Sequence, residues 1–286
     1  MTGDGGELRV VLLAGQRQGI ANPLAERFGT SHKCLIPLAG EPLIAHVLQT
    51  LAAHERVNSL VVSVEREAFG IIYDIMSGLP GHRSARLVES QGNIADSVLA
   101  ALADWDGPAV ITTADHALLC AESIDAAADA LESADAVVAM ARRDAVLGAH
   151  PDAQRRFYEF RDDAYSNCNL YGLSGPRARA AAEIFRGGGQ FAKSAMRIVR
   201  VFGLVNLLLL RFRLVSLAEG LERISHRMKL RVVPVILTDG TQAIDVDNDR
   251  TYAIVDELIA RRATPACVIR ADEMHSQYQA AVHRVA

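Results

Sequence analysis

The chain has 286 residues, half of them hydrophobic, and a formal net charge of −4. A chain of this length can bury one large core, or a core with a smaller subdomain, without dividing into separate domains. The slight negative charge offers no basic footprint for nucleic acid, so we expect no nucleic-acid partner. Residues 1–7 are polar and glycine-rich, which does not fit a secretory signal, and we expect a cytoplasmic protein.

The cysteines give no sign of a metal centre or of a disulfide framework. They are far apart and include no Cys-x-x-Cys pair: Cys34, Cys120, Cys168 and Cys267. This spacing argues against a zinc site. We expect most of the four to be small buried hydrophobic residues.

In the first half of the chain, apolar runs alternate with helical patterns. The predicted strands are Leu8–Leu13, Ser59–Val64, Ala85–Glu89, Ala109–Thr113 and Ala134–Ala141. The predicted helices are Leu43–Ala53, Glu67–Met76, Ile94–Ala103 and Ser123–Leu131. Continuous Val, Ile and Leu runs separated by helices are typical of strands buried on both faces. We therefore predict an α/β fold with a doubly wound, mostly parallel sheet.

The pattern changes after about residue 142. Short strands are predicted at Phe157–Phe160 and Asn167–Leu173, and later strands at Leu230–Leu237 and Gln242–Ile244. Helices are predicted at Arg177–Arg186, Ala192–Leu210, Leu217–Met228 and Arg250–Arg262. Repeats and linkers are absent, so we predict one domain over 1–286, with 263–286 as a surface tail.

The first strand leads into a glycine loop. Leu8–Leu13 is followed by Ala14-Gly15-Gln16-Arg17-Gln18-Gly19, which places backbone N–H groups at the carboxyl edge of a sheet, where phosphate is commonly held. Lys33 follows, before Cys34–Leu38 and then Gly40-Glu41-Pro42-Leu43. The arrangement resembles the N-terminal signature of MobA-like nucleotidyltransferases. A glycine turn without any chemical role is the alternative, because many α/β proteins begin in this way.

The resemblance implies that the loop residues Leu13, Ala14, Gly15 and Gln16 contact the nucleotide. It also implies that Arg17 and Lys33 balance charge on the phosphates. The loop departs from the family's commonest form, Gly-x-Gly-x-Arg, because Arg17 comes two residues after Gly15 and an insertion over 20–29 precedes Lys33. Which side chains meet the phosphates is therefore left open by the sequence.

An aspartate follows the predicted strand Ala109–Thr113. Ligands lie at the carboxyl ends of strands in an open parallel sheet, and in the family the position matching Asp115 carries a metal-binding carboxylate. The family's proline after this acid is missing, and a turn or helix-capping aspartate is the alternative. We expect His116 to be a neighbour or lid residue, since Mg²⁺ prefers oxygen ligands.

A second group of acids follows Gln242–Ile244. Asp245-Val246-Asp247-Asn248-Asp249 resembles the family's late Ile-Asp-x-Asp element, which implies Asp245 as the second metal ligand and Asp247 as an outer or alternative ligand. Asn248 or Asp249 would also cap the next helix, which is the structural alternative for this cluster. Two carboxylates with substrate oxygens are a usual way to hold Mg²⁺.

Two further loops contain candidate binding residues. The resemblance implies that Ser90, Gly92 and Asn93 contact the base, and that Asn167 or Asn169 faces the acceptor. A plain loop with Asn93 as the N-cap of the following helix is the alternative for the first. A polar strand edge is the alternative for the second.

Taken together, the resemblance implies a Mg²⁺-dependent nucleotidyltransferase with a GT-A-like, Rossmann-related fold. It would move NMP from an NTP, with CTP or GTP favoured, to a phosphorylated small molecule such as a sugar, polyol or cofactor phosphate. Residues 8–141 would bind the nucleotide, and residues 142–262 would form the acceptor side. A GT-A glycosyltransferase with a nucleotide-sugar donor and a non-catalytic nucleotide-binding module are the alternatives.

The most apolar run is Val201–Leu210, flanked by Arg197, Arg200, Arg211 and Arg213 and preceded by Gly187–Gly189, which we interpret as a hinge. Ten helical residues rise only about 15 Å, half of a bilayer core, so this run is too short to span a membrane. A core or subunit-interface helix is one interpretation. Contact with a membrane surface or a lipid-linked acceptor through 197–213 is the other.

Overall fold

The structure is a computed structural model that describes residues 7–16, 22–79, 84–153, 156–185 and 203–263. Its centre is one eight-stranded sheet, and a two-stranded hairpin lies outside it. The strands are β1 (Leu8–Leu13), β2 (Pro37–Leu38), β3 (Glu41–Pro42), β4 (Val57–Val64), β5 (Ser84–Glu89), β6 (Ala109–Thr113), β7 (Ala136–Arg142), β8 (Tyr158–Glu159), β9 (Ala164–Leu173) and β10 (Val232–Leu237).

Helices connect these strands and cover the sheet. They are α1 (Pro23–Arg27), α2 (Leu43–Ala53), α3 (Phe69–Ser77), α4 (Ile94–Ala101), α5 (Ala121–Leu131), α6 (Arg143–Ala149), α7 (Leu204–Arg211), α8 (Leu217–Met228) and α9 (Asp249–Ala263). Short 3-10 segments are found at Lys33–Leu35, Arg66–Ala68, Pro176–Phe185 and Gly240–Ala243.

The sheet order is β10-β7-β9-β6-β1-β4-β5, with β8 paired to β9. β1 pairs in parallel with both β4 and β6, and Leu13 lies beside Ser63 and Thr113. β9 runs antiparallel between β6 and β7. The predicted mostly parallel α/β sheet is confirmed, and its register brings the residues that follow β1, β4 and β6 to one edge.

Both faces of the sheet are buried, as expected for continuous apolar strands. Along β1, Val10 and Leu12 pack into the core that contains α2 and α5. Val11 packs into the core on the other face, which contains α4, the 176–185 segment and α8. Cys34 and Cys168 are buried in the first core, as predicted, and Cys267 lies outside the described residues.

The prediction of a strand at Gln242–Ile244 is wrong. Gly240–Ala243 forms a 3-10 turn instead, and the Asp239 side chain caps it by accepting a hydrogen bond from Thr241 N at 2.9 Å. The Gln242 side chain is fully buried, and its amide donates to the Leu118 carbonyl at 2.7 Å. The hydrogen bond of the buried Gln242 amide favours the turn, because a conformation that broke this bond would leave the amide buried without a partner.

The second half contains further differences from the predictions. The helix predicted at Arg177–Arg186 is a 3-10 segment, Pro176–Phe185. The helix predicted at Ala192–Leu210 is described only as α7, and Gly187–Gly189, Arg197 and Arg200 lie outside the described residues.

The interpretation of the apolar run as a core helix is also wrong for the described part. No residue of α7 is buried, and Leu204, Val205 and Leu208 are among the exposed large hydrophobic residues.

The sequence analysis did not predict the short helices α1 and α6, because both are too brief to show a clear periodicity of apolar residues. In the part of the chain that the structure describes, every helix is too short or too polar to cross a membrane.

Gly240 allows the turn before Asp245 to approach α6. A Cβ atom at Gly240 would overlap the backbone of Ala145 and Val146. We therefore expect Gly240→Ala to lower the free energy of unfolding by about 1–3 kcal/mol, the range for overpacked sites.

Gly148→Ala is the matched control, because a Cβ atom there meets nothing within 4 Å. Alanine is the better helix former by about 1 kcal/mol, so this variant should be as stable as the wild type or more stable. Urea denaturation of both variants measures the difference. Equal stability of the two would contradict the assigned contact.

Candidate active site

A lysine and two aspartates form an ion-pair cluster at the carboxyl edge of the sheet. Lys33 Nζ donates to Asp115 Oδ2 at 2.5 Å and to Asp247 Oδ1 at 2.8 Å. Asp115 follows β6, and its other oxygen accepts a hydrogen bond from Thr113 Oγ1 at 2.5 Å. Lys33 lies on a 3-10 turn rather than at the start of a strand. Asp115 and Asp247, which are 82 and 214 positions from Lys33 in the sequence, therefore meet at one ammonium group.

The segment that contains Asp245 lies directly against the end of β6. Val246 N donates to the Asp115 carbonyl oxygen at 3.1 Å. The buried Gln242 side chain strengthens this junction, because its Oε1 accepts from Ser123 Oγ at 3.1 Å while its amide bonds Leu118. The predicted approach of Asp115 and Asp245 has a clear physical origin in these contacts between the two segments.

Asn169 contacts Asp245 from β9. Its Nδ2 donates to Asp245 Oδ2 at 2.7 Å, and its Oδ1 accepts from Asn167 Nδ2 at 3.0 Å. Met140 pairs with Asn167 and Val138 with Tyr171, so β9 bulges by extra residues between these pairs. Asn169 has a φ of 47°, a left-handed conformation that asparagine tolerates better than most residues. The bulge redirects the Asn169 amide toward the carboxylate, a common role for bulges beside active sites.

The electrostatics of the cluster differ between its two central acids. Burial acts to raise the pKa of Asp115, but the Lys33 ammonium and the Thr113 hydroxyl outweigh it and hold that pKa below its usual value. Burial raises the pKa of Asp245 well above its usual value, and the negative charges of Asp115 and Asp247 add to this shift. The site around Asp245 is therefore short of positive charge.

Lys33 remains a cation in this environment. Burial lowers the pKa of its ammonium, but the carboxylates of Asp115 and Asp247 outweigh burial and raise it above the ordinary value. His116, the residue after Asp115, is fully buried, and its Nδ1 lies 3.2 Å from Thr112 Oγ1. Burial lowers the pKa of His116 to about 4, so the ring is a neutral, buried neighbour of the site and not a lid.

The donor set around Asp245 fits a hard divalent cation. Asp245 Oδ1 is shut off from solvent and receives no hydrogen bond from the residues that the structure describes, and carboxylate oxygens are the ligands that Mg²⁺ prefers. Within the described residues, no three His, Cys, Asp or Glu side chains are arranged to hold a metal by themselves. Mg²⁺ bound with nucleotide takes one or two carboxylates and completes its shell with phosphate and water oxygens. Binding of the ion by Asp115, Asp245 and Asp247 stays a prediction.

A glutamate that the sequence analysis missed joins the two candidate nucleotide loops. Glu65 follows β4, and its Oε1 accepts from the Gln16 backbone N–H at 2.7 Å and from Ser90 Oγ at 3.1 Å. A Cβ atom at Gly15 would lie 2.8 Å from Ser90 Cβ, so only glycine lets the loops pack this closely. An acid directly after an apolar strand was the available sequence signal for Glu65.

The two loops differ in how far their predicted roles are supported. Asn93 caps α4, with its Oδ1 accepting from Asp96 N at 3.0 Å, so the structural alternative for Asn93 is confirmed. A Cβ atom at Gly92 would meet nothing within 4 Å, and packing does not require glycine there. Asn248 likewise caps α9, accepting from Thr251 N at 3.2 Å. Nucleotide contacts by residues 13–16, 90, 92 and 93 stay predictions.

Most of the predicted site residues therefore come together at one edge of the sheet. Lys33, Asp115, Asp245, Asp247, Asn167 and Asn169 are linked by direct or successive contacts. Leu13, Ala14, Gly15, Gln16 and Ser90 lie at the ends of the adjacent strands. Arg17 lies outside the described residues.

Comparison with known proteins agrees with this architecture. The family model of the MobA-like NTP transferase domain matches residues 10–181. Bifunctional protein GlmU of Rhizorhabdus wittichii is 33% identical over 127 residues, which are 42% of this chain and 25% of that protein. The match therefore spans about a quarter of the length of this curated relative.

Solved structures with the same fold cover most of the chain. A hypothetical transferase from Thermus thermophilus has a TM-score of 0.71 and 24% identity, over 86% of this chain and 99% of that one. A 4-diphosphocytidyl-2C-methyl-D-erythritol synthase from Anaerococcus prevotii has a TM-score of 0.58 and 10% identity, over 90% and 100%. A CMP:2-keto-3-deoxy-manno-octonic acid synthetase complexed with CTP has a TM-score of 0.53 and 13% identity, over 89% and 99%.

The contacts of Glu65 lead to a direct test of how the two loops are held. In Glu65→Ala, the Gln16 amide loses a charged acceptor, and hydrogen bonds to charged groups are worth about 1.5–3 kcal/mol. We expect its hydrogen exchange, measured by NMR, to accelerate roughly 10- to 100-fold.

Glu67→Ala is the control, because Glu67 is exposed two residues further along the chain. Its effect on the Gln16 amide should be negligible. Unchanged exchange in Glu65→Ala would show that another group holds the loop.

Proposed function

The chain belongs to the MobA-like NTP transferase family, and from this premise we propose that it transfers NMP from an NTP to a phosphorylated small-molecule acceptor and releases pyrophosphate. The observation that carries the proposal is the cluster of Lys33 with Asp115 and Asp247, beside the buried Oδ1 of Asp245, which has no hydrogen-bond partner among the described residues. Such a site combines a fixed cation with hard oxygen ligands at the edge where strands end. These are the components that phosphoryl chemistry requires.

The NTP would bind along the glycine loop. Gly15 and Gln16 follow β1 at the same edge as Asp115, because β1 and β6 are paired in register. Loop N–H groups there can donate to phosphate oxygens. Arg17 would add a positive charge, and Ser90 and Gly92 would contact the base from the neighbouring loop. Glu65 acts as a positioning residue that holds these two loops together.

In the proposed reaction, a phosphate oxygen of the acceptor attacks the α-phosphorus of the NTP. A new oxygen–phosphorus bond forms, and the bond between the α-phosphorus and the bridging oxygen of pyrophosphate breaks. No protein nucleophile is needed, since the barrier falls through positioning and charge neutralisation. An ammonium has three N–H donors, so Lys33 keeps one for a phosphate oxygen after its bonds to Asp115 and Asp247.

Asp115 and Asp245 would hold Mg²⁺, with Asp247 as an outer or alternative ligand. When bound, this ion would neutralise charge on the phosphate oxygens. Asp247 suits the outer position, because 64% of its side chain is exposed, whereas the Asp115 side chain is only 18% exposed. Asn169 orients the Asp245 carboxylate, and Asn167 supports Asn169. Together these two amides would face the acceptor.

We further propose CTP or GTP as the donor, and CTP is the first candidate. Of the proteins with a similar fold, one is named as a diphosphocytidyl-methylerythritol synthase and another is named as complexed with CTP. A panel of the four NTPs with sugar, polyol and cofactor phosphates, followed by pyrophosphate release, tests this proposal. A glycosyltransferase would release no pyrophosphate from any NTP, and a non-catalytic module would bind a nucleotide without turnover.

Removal of either central carboxylate should abolish most turnover. We expect Asp115→Asn and Asp245→Asn to lower kcat/KM on the order of 100-fold or more, comparable to losing a preorganised transition-state contact. Both variants should also need more Mg²⁺ for half-maximal rate, because a neutral amide is a weaker ligand.

Asp129→Asn is the control, because Asp129 lies on the exposed surface of α5 and pairs only with Arg56 among the described residues. It should keep wild-type rates. Full activity of Asp245→Asn at limiting Mg²⁺ would contradict the assigned role of this carboxylate.

Loss of the Lys33 ammonium should slow the reaction without unfolding the protein. We expect Lys33→Met to lower kcat/KM on the order of 100-fold, as for removal of one positioned donor to a developing charge. Lys229→Met is the control, because Lys229 is an exposed lysine at the end of α8.

Steady-state kinetics and thermal unfolding of both lysine variants separate catalysis from stability. Near-normal kcat and KM in Lys33→Met would reduce Lys33 to a structural counter-ion of Asp115 and Asp247.

A further inference from the structure

A cavity of about 370 Å³ lies on the face of the sheet opposite to α2 and α5. α4, α7 and α8 border it on the side facing β6, β7 and β9, and it is partly open to solvent. Its walls include Leu13, Ile94, Val98, Ile111, Leu207 and Ile224. A volume of this size falls within the usual range for small-molecule sites.

The cavity wall has three polar side chains, of which Tyr158 is largely exposed, and the other two, Asn167 and Tyr171, are engaged with each other or with a neighbour. Asn167 Nδ2 donates to Asn169 Oδ1 at 3.0 Å and also contacts the Tyr171 hydroxyl. Burial raises the pKa of that hydroxyl, so Tyr171 stays neutral. A nucleobase or sugar in this cavity would leave several of its own polar groups without partners, which is costly. The walls therefore select a hydrocarbon group.

The cavity borders the candidate active site through residues that the two share or that adjoin its loops. Leu13 immediately precedes the glycine loop, and Ile94 immediately follows the loop that contains Gly92 and Asn93. From Asn167 on the cavity wall, hydrogen bonds lead through Asn169 to Asp245. A ligand with an apolar group in the cavity can therefore present a polar head to the carboxylate cluster.

We propose that the cavity binds the hydrocarbon part of the acceptor, which makes the acceptor a phosphorylated compound with an alkyl or isoprenoid group. This inference rests on the proposed nucleotidyl transfer and narrows its acceptor class. It also gives a role to one side of α7, an apolar helix in which no residue is buried. Leu207 and Leu210 of α7 line the cavity, so a hydrocarbon ligand would cover their inward-facing surface.

Binding of a homologous series of alkyl phosphates to the full chain tests the proposal. Methyl, butyl, hexyl and octyl phosphate, each below its micelle-forming concentration, are titrated by calorimetry. Burial of one methylene contributes about 0.8 kcal/mol, so we expect Kd to fall roughly 3- to 4-fold per added methylene until the cavity is filled. A Kd that does not depend on chain length would overturn the proposal.

Variants that fill the cavity locate the binding site. Ile224→Trp from α8 and Leu207→Trp from α7 should abolish the dependence on chain length while methyl phosphate binds as before. His226→Trp is the matched control, because the His226 side chain is 82% exposed on the same helix as Ile224. Leu207 is only half-buried, so its variant remains informative if Ile224→Trp unfolds, as judged by thermal denaturation. Wild-type chain-length dependence in a folded cavity variant would place the hydrocarbon elsewhere and overturn the proposal.

Pyrophosphate release from CTP with the same alkyl phosphates separates this inference from the proposed function. Chain-length-dependent binding without turnover of any NTP would support the cavity and contradict nucleotidyl transfer. Turnover of sugar phosphates together with chain-length-independent binding would support nucleotidyl transfer and contradict the cavity.

Discussion

The Lys33 ammonium compensates carboxylates that would otherwise repel one another at the carboxyl edge of the sheet. Asp115 comes from the end of β6, and Asp247 comes from the segment before α9; both accept hydrogen bonds from Lys33 Nζ. Burial raises the pKa of Asp245, which has no hydrogen bond to Lys33 among the described contacts, and the like charges of Asp115 and Asp247 raise it further. The site is thus built with an excess of negative charge that a divalent cation and the N–H groups around phosphate can balance.

Elements far from the chemistry hold this arrangement. The buried Gln242 amide attaches the turn before Asp245 to the chain after Asp115, and Gly240 lets that turn approach α6. The bulge in β9 aims Asn169 at Asp245, and Glu65 ties together the loops after β1 and β5. Each of these residues satisfies a buried polar group or permits a close backbone approach. They therefore hold the site residues in position.

The sequence predicted much of the sheet because its strands are long Val, Ile and Leu runs, and β1 and β6 have the predicted bounds. It also placed Asp115 and Asp245 on segments that do meet. The turn at 240–243 was mistaken for a strand, because alternation over three residues cannot reveal that the Gln242 side chain is buried with a backbone partner. The pairing of Lys33 with Asp247, the β9 bulge and the cavity depend on contacts across the chain, which local patterns do not contain.

Nucleotidyl transfer requires that the α-phosphoryl group, with its nucleoside, moves to the acceptor. The most direct measurement supplies CTP labelled with ³²P at either the α or the γ position, together with a panel of phosphorylated acceptors, and follows the label chromatographically. We expect α-label to enter a new diphosphate-linked product while γ-label is released in pyrophosphate. Transfer of γ-label to the acceptor would instead show a kinase-type reaction and rule out nucleotidyl transfer.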